Sequence, residues 1–249
     1  MDIKPLKREK LKKKETIFTV IEKTTLNVDD TFLIQLSPNK KMTFASGDLL
    51  AIYPENEPVK RLYSIGKIGS NIVLSIKKHD LGKCSNYLNQ LNTNAMVNAT
   101  IEHNSNFHFP KHSKEVIMIA NGTGIAPFLG MIQENKKQVK THLFWGGRTQ
   151  ASFGLYSDLV DNVFTNKTLT SIHVAYSQAY EQKVYVQDLL LEQQQLISKA
   201  LQNGSTVMLC GSVAMQSAVL DVLEQITETQ LNLPLSTFKN QDLIKMDCY

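Results

Sequence analysis

Residues 115–137 read EVIMIANGTGIAPFLGMIQENKK, and this stretch decides the fold. EVIMIA is a continuous apolar run, the pattern of a strand buried on both faces of a parallel sheet. The chain then reaches Gly122-Thr123-Gly124, and Pro127 stands where a helix begins. Proline suits that first turn because no N–H is needed there. Glycines let a backbone approach a phosphate closely, and the orphan amides of a helix N-terminus face an anion. Alone the loop is a weak signal. Proline replaces the third glycine of the dinucleotide fingerprint, and no acidic residue for a ribose stands out about 20 residues later. A strand-to-helix turn without ligand fits the bare loop equally well.

The pattern repeats toward the C-terminus. THLFWGG, LTSIHVAYS and TVMLCGS are further buried-strand runs, with GLYSDLV, VQDLLLEQQQLISKALQ and VAMQSAVLDVLEQITETQ as predicted helices between and after them. In the last helix Ala214, Ala218, Val222 and Ile226 follow helical spacing, and Ser212 is the expected N-cap. Alternating strands and helices predict an α/β doubly wound parallel sheet over residues 113–249. Residues 15–112 differ. TIFTVIEKTTL, TFLIQLS, DLLAIYP, RLYSIG and NIVLSIKKH are short, rich in β-branched and aromatic residues, and punctuated by Gly, Asn, Asp and Pro. That predicts a small antiparallel β-barrel. The expected organisation is two domains joined near residue 112, without an internal repeat.

A chain of 249 residues suits two ordinary domains, and 42% hydrophobic residues suffice for their cores. Three cysteines, Cys84, Cys210 and Cys248, make no disulfide framework and point to a reducing compartment. With no apolar run of spanning length and no signal-peptide pattern, a soluble cytoplasmic protein is expected. The net charge of +4 is uneven: residues 1–14 hold seven lysines and arginines against two acids, so the remaining 235 residues sum to −1. This basic arm is either solvated chain or an electrostatic handle for an acidic partner protein or an anionic membrane surface. Nucleic acid is the weaker option, because no aromatic platform accompanies the charge.

Two further motifs carry chemistry. In RLYSIG, residues 61–66, alternation puts Arg61 and Tyr63 on one face and Leu62 and Ser64 on the other. Arginine can fork onto a phosphate, and tyrosine can stack on a flat ring. An amphipathic strand is the plainer reading of that motif in isolation. In LGKCSNYL, residues 81–88, Gly82 through Ser85 offer amides and a hydroxyl before a helix, again an arrangement for an anion. His103, His108 and His112 lie close in sequence, but Pro110 interrupts any helix that would align them, and no zinc or other metal site is expected. No nucleophile elbow or Walker loop is present.

Taken in order, Arg-x-Tyr-Ser, Gly-x-Cys-Ser, Gly-Thr-Gly-Ile-Ala-Pro, Leu-Cys-Gly and a terminal aromatic resemble the ferredoxin–NADP reductase superfamily. The chain is similar both to plant-type ferredoxin–NADP reductases and to the reductase module of sulfite reductase flavoproteins and related diflavin enzymes. The resemblance runs from roughly Thr16 to Tyr249. It implies an FAD-binding barrel followed by an NADP-binding α/β domain.

The resemblance also implies roles. Arg61 would bind the FAD pyrophosphate, Tyr63 would stack on the isoalloxazine, and Ser64 would sit near flavin N5, with Leu62 on the same strand. Gly82, Lys83, Cys84 and Ser85 would bind the pyrophosphate, while Leu74 and Ile76 align with a strand beside the flavin. Gly122, Thr123 and Gly124 would hold the NADP pyrophosphate, with Arg148 near the nucleotide. Ser177, Lys183 and Tyr185 match the 2′-phosphate site, followed by Gln187; Gln178 stands where the family usually has arginine. Cys210, with Gly211 after it, and Ser64 would orient the two rings. Asp247 would favour oxidised nicotinamide, and Tyr249 would cover the flavin face where nicotinamide must lie.

The implied activity is an NADPH-dependent FAD oxidoreductase, an electron-transport flavoprotein. It would pass electrons singly to a separate carrier: ferredoxin, flavodoxin, or a haem or iron–sulfur partner. Only ENEPVK separates the DLLAIYP and RLYS strands, and no flavodoxin-like domain precedes them, so a minimal reductase is expected. Two alternatives stay open: an NADH-preferring or free-flavin reductase, motivated by Gln178, and a non-enzymatic nucleotide-binding regulatory module.

Overall fold

The computed structural model describes residues 15–54 and 59–249, with the side chain of Phe164 excepted; the basic arm at 1–14 lies outside the described residues. An antiparallel sheet comes first. Its strands are β1 (Thr16–Lys23), β2 (Thr31–Pro38), β3 (Leu49–Ile52), β4 (Arg61–Ser64), β5 (Gly66–Ile68), β6 (Asn71–Lys77) and β7 (Met96–Glu102). Helix α1 (Lys83–Gln90) lies between β6 and β7. The strand order is β4-β3-β7-β1-β2-β6-β5. Only Ile65 separates β4 from β5, and its backbone bonds to Gly47 and Asp48, so the sheet curls into a nearly closed barrel. Alternation drives the curl: Phe18, Val20, Ile34, Leu36, Leu50, Ile72, Leu74 and Val97 all point into one core.

The second sheet is parallel, in the order β10-β9-β8-β11-β12. Its strands are β8 (Glu115–Asn121), β9 (Lys140–Gly147), β10 (Ser171–Tyr176), β11 (Thr206–Gly211) and β12 (Ile244–Cys248). The connecting helices are α2 (Ala126–Gln133), α3 (Gln150–Gly154), α4 (Ser157–Thr165), α5 (Val186–Glu192), α6 (Gln194–Gln202), α7 (Val213–Leu231) and α8 (Ser236–Asn240). Helices cover both faces. Ile117 and Ile119 of β8 enter the core shared with α5, α6 and α7. Val116, Met118 and Ala120 enter the core beneath α2 and α4. The strand order reverses between β8 and β11, and a crevice opens at such a switch point.

The structure departs from the sequence expectations in several places. The predicted helix over 186–202 is two helices, because the backbone leaves helical geometry at Gln193 (φ −102°, ψ 23°). GLYSDLV is likewise split: α3 ends at Gly154 and α4 begins at Ser157, with Tyr156 buried between them. Helix α7 buries Met215, Val219, Leu223 and Ile226; Ala214 and Ala218 line the crevice instead. Strands β7 and β12 were not anticipated. In β7 only Val97 and Ala99 are buried, too short an alternation to stand out. β12 pairs with β11 in parallel, Cys210 opposite Asp247 and Gly211 opposite Cys248. Phe107, ahead of the expected junction at 112, already packs with Phe128 in the parallel-sheet core, ring centroids 5.8 Å apart.

Candidate active site

The switch point opens into a cleft of about 670 Å³, lined by both domains. One wall is the end of β8 with the loop 122–125, a 3₁₀ turn that feeds α2 with Pro127 in its first turn. The two glycines of this turn have different reasons. Gly122 holds φ +49°, and a Cβ there would meet nothing within 4 Å, so the loop is open on that side. Gly124 lies against β11: a Cβ would come within 2.1 Å of the Cys210 carbonyl oxygen. The first glycine satisfies backbone conformation and the second satisfies strand packing. The Gly122 carbonyl accepts from Trp145 Nε1 at 3.0 Å and from the Tyr156 hydroxyl at 3.4 Å. Tyr156 also bonds Ser75 of β6 at 2.7 Å, which ties the loop to the barrel.

Asn121 locks the neighbouring strand end. Its Oδ1 accepts from Ser212 N–H at 2.9 Å, and its Nδ2 donates to Ser212 Oγ at 3.0 Å. Ser212 caps α7 as expected, accepting from Met215 N–H. The end of β8 is thus tied to the α7 N-cap that follows β11. The cleft's far wall holds Arg148, Ser177, Tyr185 and Gln187. Backbone bonds from Ser177 N–H to Gly147 O and from Gln178 N–H to Arg148 O hold the ends of β9 and β10 together. Lys183 is exposed and is not part of the cleft lining.

At the domain junction four residues from distant sequence meet. Ser64 Oγ donates to Asp247 Oδ2 at 2.6 Å. Cys210 is fully buried and hydrogen-bonds Ser64. Burial raises the Cys210 thiol pKa, and the Asp247 and Cys248 charges add to the rise, so the thiol stays protonated. Burial also raises the Asp247 carboxyl, opposed by the Ser64 hydrogen bond. Tyr249 is 62% exposed, and its hydroxyl bonds Thr123 Oγ1 at 2.9 Å. Its backbone is fixed to Gly211 through Tyr249 N–H at 2.9 Å. β12 explains how a chain end reaches this place.

On the barrel side, Tyr63 and Cys84 are hydrogen-bonded to one another, and burial raises the pKa of both. Arg61 and Leu62 are exposed on the edge strand β4. Gly82 precedes α1, and Ser85 Oγ donates back to the Gly82 carbonyl at 3.0 Å. Leu74 and Ile76 point into the barrel core. His103 and His108 both face the buried Asp48 carboxylate, at 3.1 and 2.6 Å.

The comparisons with known proteins agree with this geometry. The family described as "Oxidoreductase NAD-binding domain" matches residues 118–221. The sulfite reductase [NADPH] flavoprotein alpha-component of Vibrio cholerae is 32% identical over 217 residues, 78% of this chain and 35% of that protein. NADPH oxidoreductase A of Dictyostelium discoideum is 30% identical over 202 residues, 75% of this chain and 32% of that protein. The ferredoxin–NADP⁺ reductase of Plasmodium falciparum superposes with a TM-score of 0.77 at 20% identity, over 94% of this chain and 96% of that one.

The chain belongs to the ferredoxin–NADP reductase superfamily.

The chain spans about a third of the length of the curated relatives it matches, 35% in the Vibrio cholerae case. The superfamily fold, a barrel followed by a parallel α/β domain, is the one observed. Several residues that shape this cleft carry no sequence signal of their own. Asn121, Tyr156 and Ser75 act through contacts 34 to 91 positions away in sequence. Among the described residues, no helix is long and apolar enough to cross a membrane.

The chemistry of this donor set suits a dinucleotide and a flavin. The loop at Gly122 leaves open space beside a helix N-terminus, as a pyrophosphate requires. Arg148 supplies a guanidinium within the same cleft. Arg61 stands exposed on the strand that also carries Tyr63 and Ser64.

Proposed function

We propose that this chain is an NADPH-dependent FAD reductase that delivers electrons singly to a separate carrier protein such as ferredoxin, flavodoxin or a haem or iron–sulfur protein. The observation that carries the reading is the meeting of Ser64, Cys210 and Asp247 beside Tyr249, which itself lines a dinucleotide-sized cleft. Residues 15–112 would hold FAD, through Arg61 and the α1 N-terminus at its pyrophosphate and Tyr63 against its ring. Residues 113–249 would hold NADPH, through Gly122, Thr123 and Gly124 at its pyrophosphate, with Ser177, Tyr185 and Lys183 at its 2′-phosphate. Three free cysteines suit a cytoplasmic site of action.

Bound FAD and NADPH would supply the hydride exchange between nicotinamide and flavin and the capacity to release electrons one at a time. The protein supplies geometry. Ser64 is held by the Asp247 carboxylate and the protonated Cys210 thiol, so its hydroxyl has one orientation at the junction. Asp247 places a carboxylate where positive charge develops on oxidised nicotinamide. Tyr249 occupies the mouth of the cleft and is tied there by Thr123, so its ring must swing aside before a nicotinamide can approach. The solvent-exposed side of Tyr249 leaves room for that motion.

The test is stopped-flow reduction of FAD-loaded protein by NADPH. Ser64→Ala and Asp247→Asn are expected to slow flavin reduction by about tenfold or more, the scale of lost positioning and charge stabilisation. Rates equal to wild type in both variants would overturn the assignment. NADPH is favoured over NADH because Arg148, Ser177 and Tyr185 line one end of the cleft.

A further inference from the structure

The turn between β1 and β2 reaches out of the barrel and into the nucleotide-domain side of the cleft. It is a rigid object. Asn27 Oδ1 accepts from both Asp29 N–H and Thr31 N–H at 2.9 Å. Asp30 takes φ 55°, its N–H donates to the Asn27 carbonyl, and its own carbonyl accepts from Lys78 N–H at 2.7 Å. Asn27 Nδ2 also crosses the interface to Ser152 O at 3.4 Å. The loop it meets is equally fixed, because Thr149 and Ser152 form a reciprocal capping box. Between these two rigid pieces, Asp29 Oδ1 lies 3.5 Å from Arg148 Nη1. The Asp29 side chain is only 16% exposed and the Arg148 side chain 50%; both line the cleft.

The consequence concerns anions. Arg148 is the guanidinium of this cleft wall, and the barrel presents a carboxylate to it. A phosphate entering the cleft competes with a carboxylate for the same cation, and meets like charge from Asp29. Arg148 is therefore not a free phosphate site but a latched one. We propose that Asp29 is a specificity-setting residue: it holds Arg148 in an interdomain ion pair that a nucleotide phosphate must displace, which weakens phosphate capture and couples it to the barrel. This rests on the reading of the cleft as the NADP site. Asp29 acts through Arg148 and touches no reacting atom, so it is a positioning residue.

The experiment measures equilibrium binding of NADP⁺, NAD⁺ and 2′-AMP to the FAD-loaded full chain, at two ionic strengths, for wild type, Asp29→Asn, Arg148→Ala and the double variant. Asp29→Asn is expected to bind a phosphate-bearing probe roughly two- to fivefold more tightly, the range of a partly exposed ion pair. The gain should shrink as salt screens the charges. Arg148→Ala should bind more weakly, and adding Asp29→Asn to it should change nothing further. A gain shared by NADP⁺ and NAD⁺ puts Arg148 on the pyrophosphate; a gain confined to NADP⁺ and 2′-AMP puts it on the 2′-phosphate. Either supports the latch. The latch is overturned if Asp29→Asn binds all three probes no better than wild type, or if its gain survives in the Arg148→Ala background. A wild-type protein that takes up FAD but binds none of the three overturns the nucleotide assignment itself, a distinguishable failure. Thermal midpoints without nucleotide separate misfolded variants, and Asp29→Glu, which retains the charge, should restore wild-type affinity.

Discussion

Tyr156 gives the sharpest quantitative expectation. Its hydroxyl is buried, 2.7 Å from Ser75 Oγ across the domain junction. Tyr156→Phe removes this bond and the longer 3.4 Å bond to Gly122 O, and leaves the 7% exposed Ser75 hydroxyl without its partner. A net bond of about 1 kcal/mol plus part of the penalty for an unmet buried donor gives about 2 kcal/mol. Ser75→Ala should cost a similar amount, because the Tyr156 hydroxyl keeps only the 3.4 Å contact to Gly122 O. The double variant replaces both partners by apolar groups, so it should cost little more than either single one. The coupling energy is then about 1–2 kcal/mol. For a chain of this size each single change should lower the thermal midpoint by roughly 4–8 °C. Urea unfolding of the FAD-loaded protein measures all three variants in one cycle. Single effects that add to within about 0.5 kcal/mol would show that the two hydroxyls do not act as a pair. Because Gly122 O loses a donor in Tyr156→Phe, NADP⁺ binding should weaken as well.

Three further outcomes follow from the site. Tyr249→Ala should bind NADP⁺ roughly two- to tenfold more tightly, since an aromatic ring no longer competes for the stacking position. Tyr249→Phe keeps the ring and loses only the Thr123 bond, so it should stay near wild type; calorimetry on both variants checks this. Gln178→Arg should raise the ratio of NADPH to NADH kcat/KM by roughly tenfold, by adding a bidentate phosphate partner at an exposed position. Steady-state kinetics with the two coenzymes decide it, and an unchanged ratio places the 2′-phosphate elsewhere. Asp48→Asn should cost about 1.5–3 kcal/mol at neutral pH, measured by urea unfolding. Burial alone would raise the Asp48 pKa, but bonds from Asn104 N–H, His108, Ala45 N–H and His103 outweigh it and hold the carboxyl below its ordinary value. The stabilisation is therefore complete above the unfolded value of about 3.9 and is lost as pH falls through the lower folded value. The gap between wild type and Asp48→Asn should be flat from pH 6 to 5 and close only below about pH 4.

The barrel and the parallel sheet were legible because their strands alternate or run apolar over enough residues to show a period. The glycine loop was legible as a loop, but the reason for each glycine was not: Gly124 answers to the carbonyl of Cys210, 86 positions away. β12 was hidden because IKMDC has one buried residue in five and draws its order from β11. Its absence from the strand reading left Asp247 and Tyr249 attached to the site by resemblance alone. The break at Gln193 has no proline or glycine to announce it, and the crevice between β8 and β11 overrides the apolar stripe expected on α7. The Asp29–Arg148 pair joins a hairpin turn to a strand end in the other domain, and no local pattern encodes such a meeting.

The most direct measurement is an anaerobic titration of the purified, FAD-supplemented chain with NADPH, followed by the flavin absorbance. The protein should be yellow, with a flavin band that bleaches with about one equivalent of NADPH and returns when a one-electron acceptor is added. A protein that retains no FAD, or whose bound FAD keeps its absorbance in excess NADPH, would contradict it.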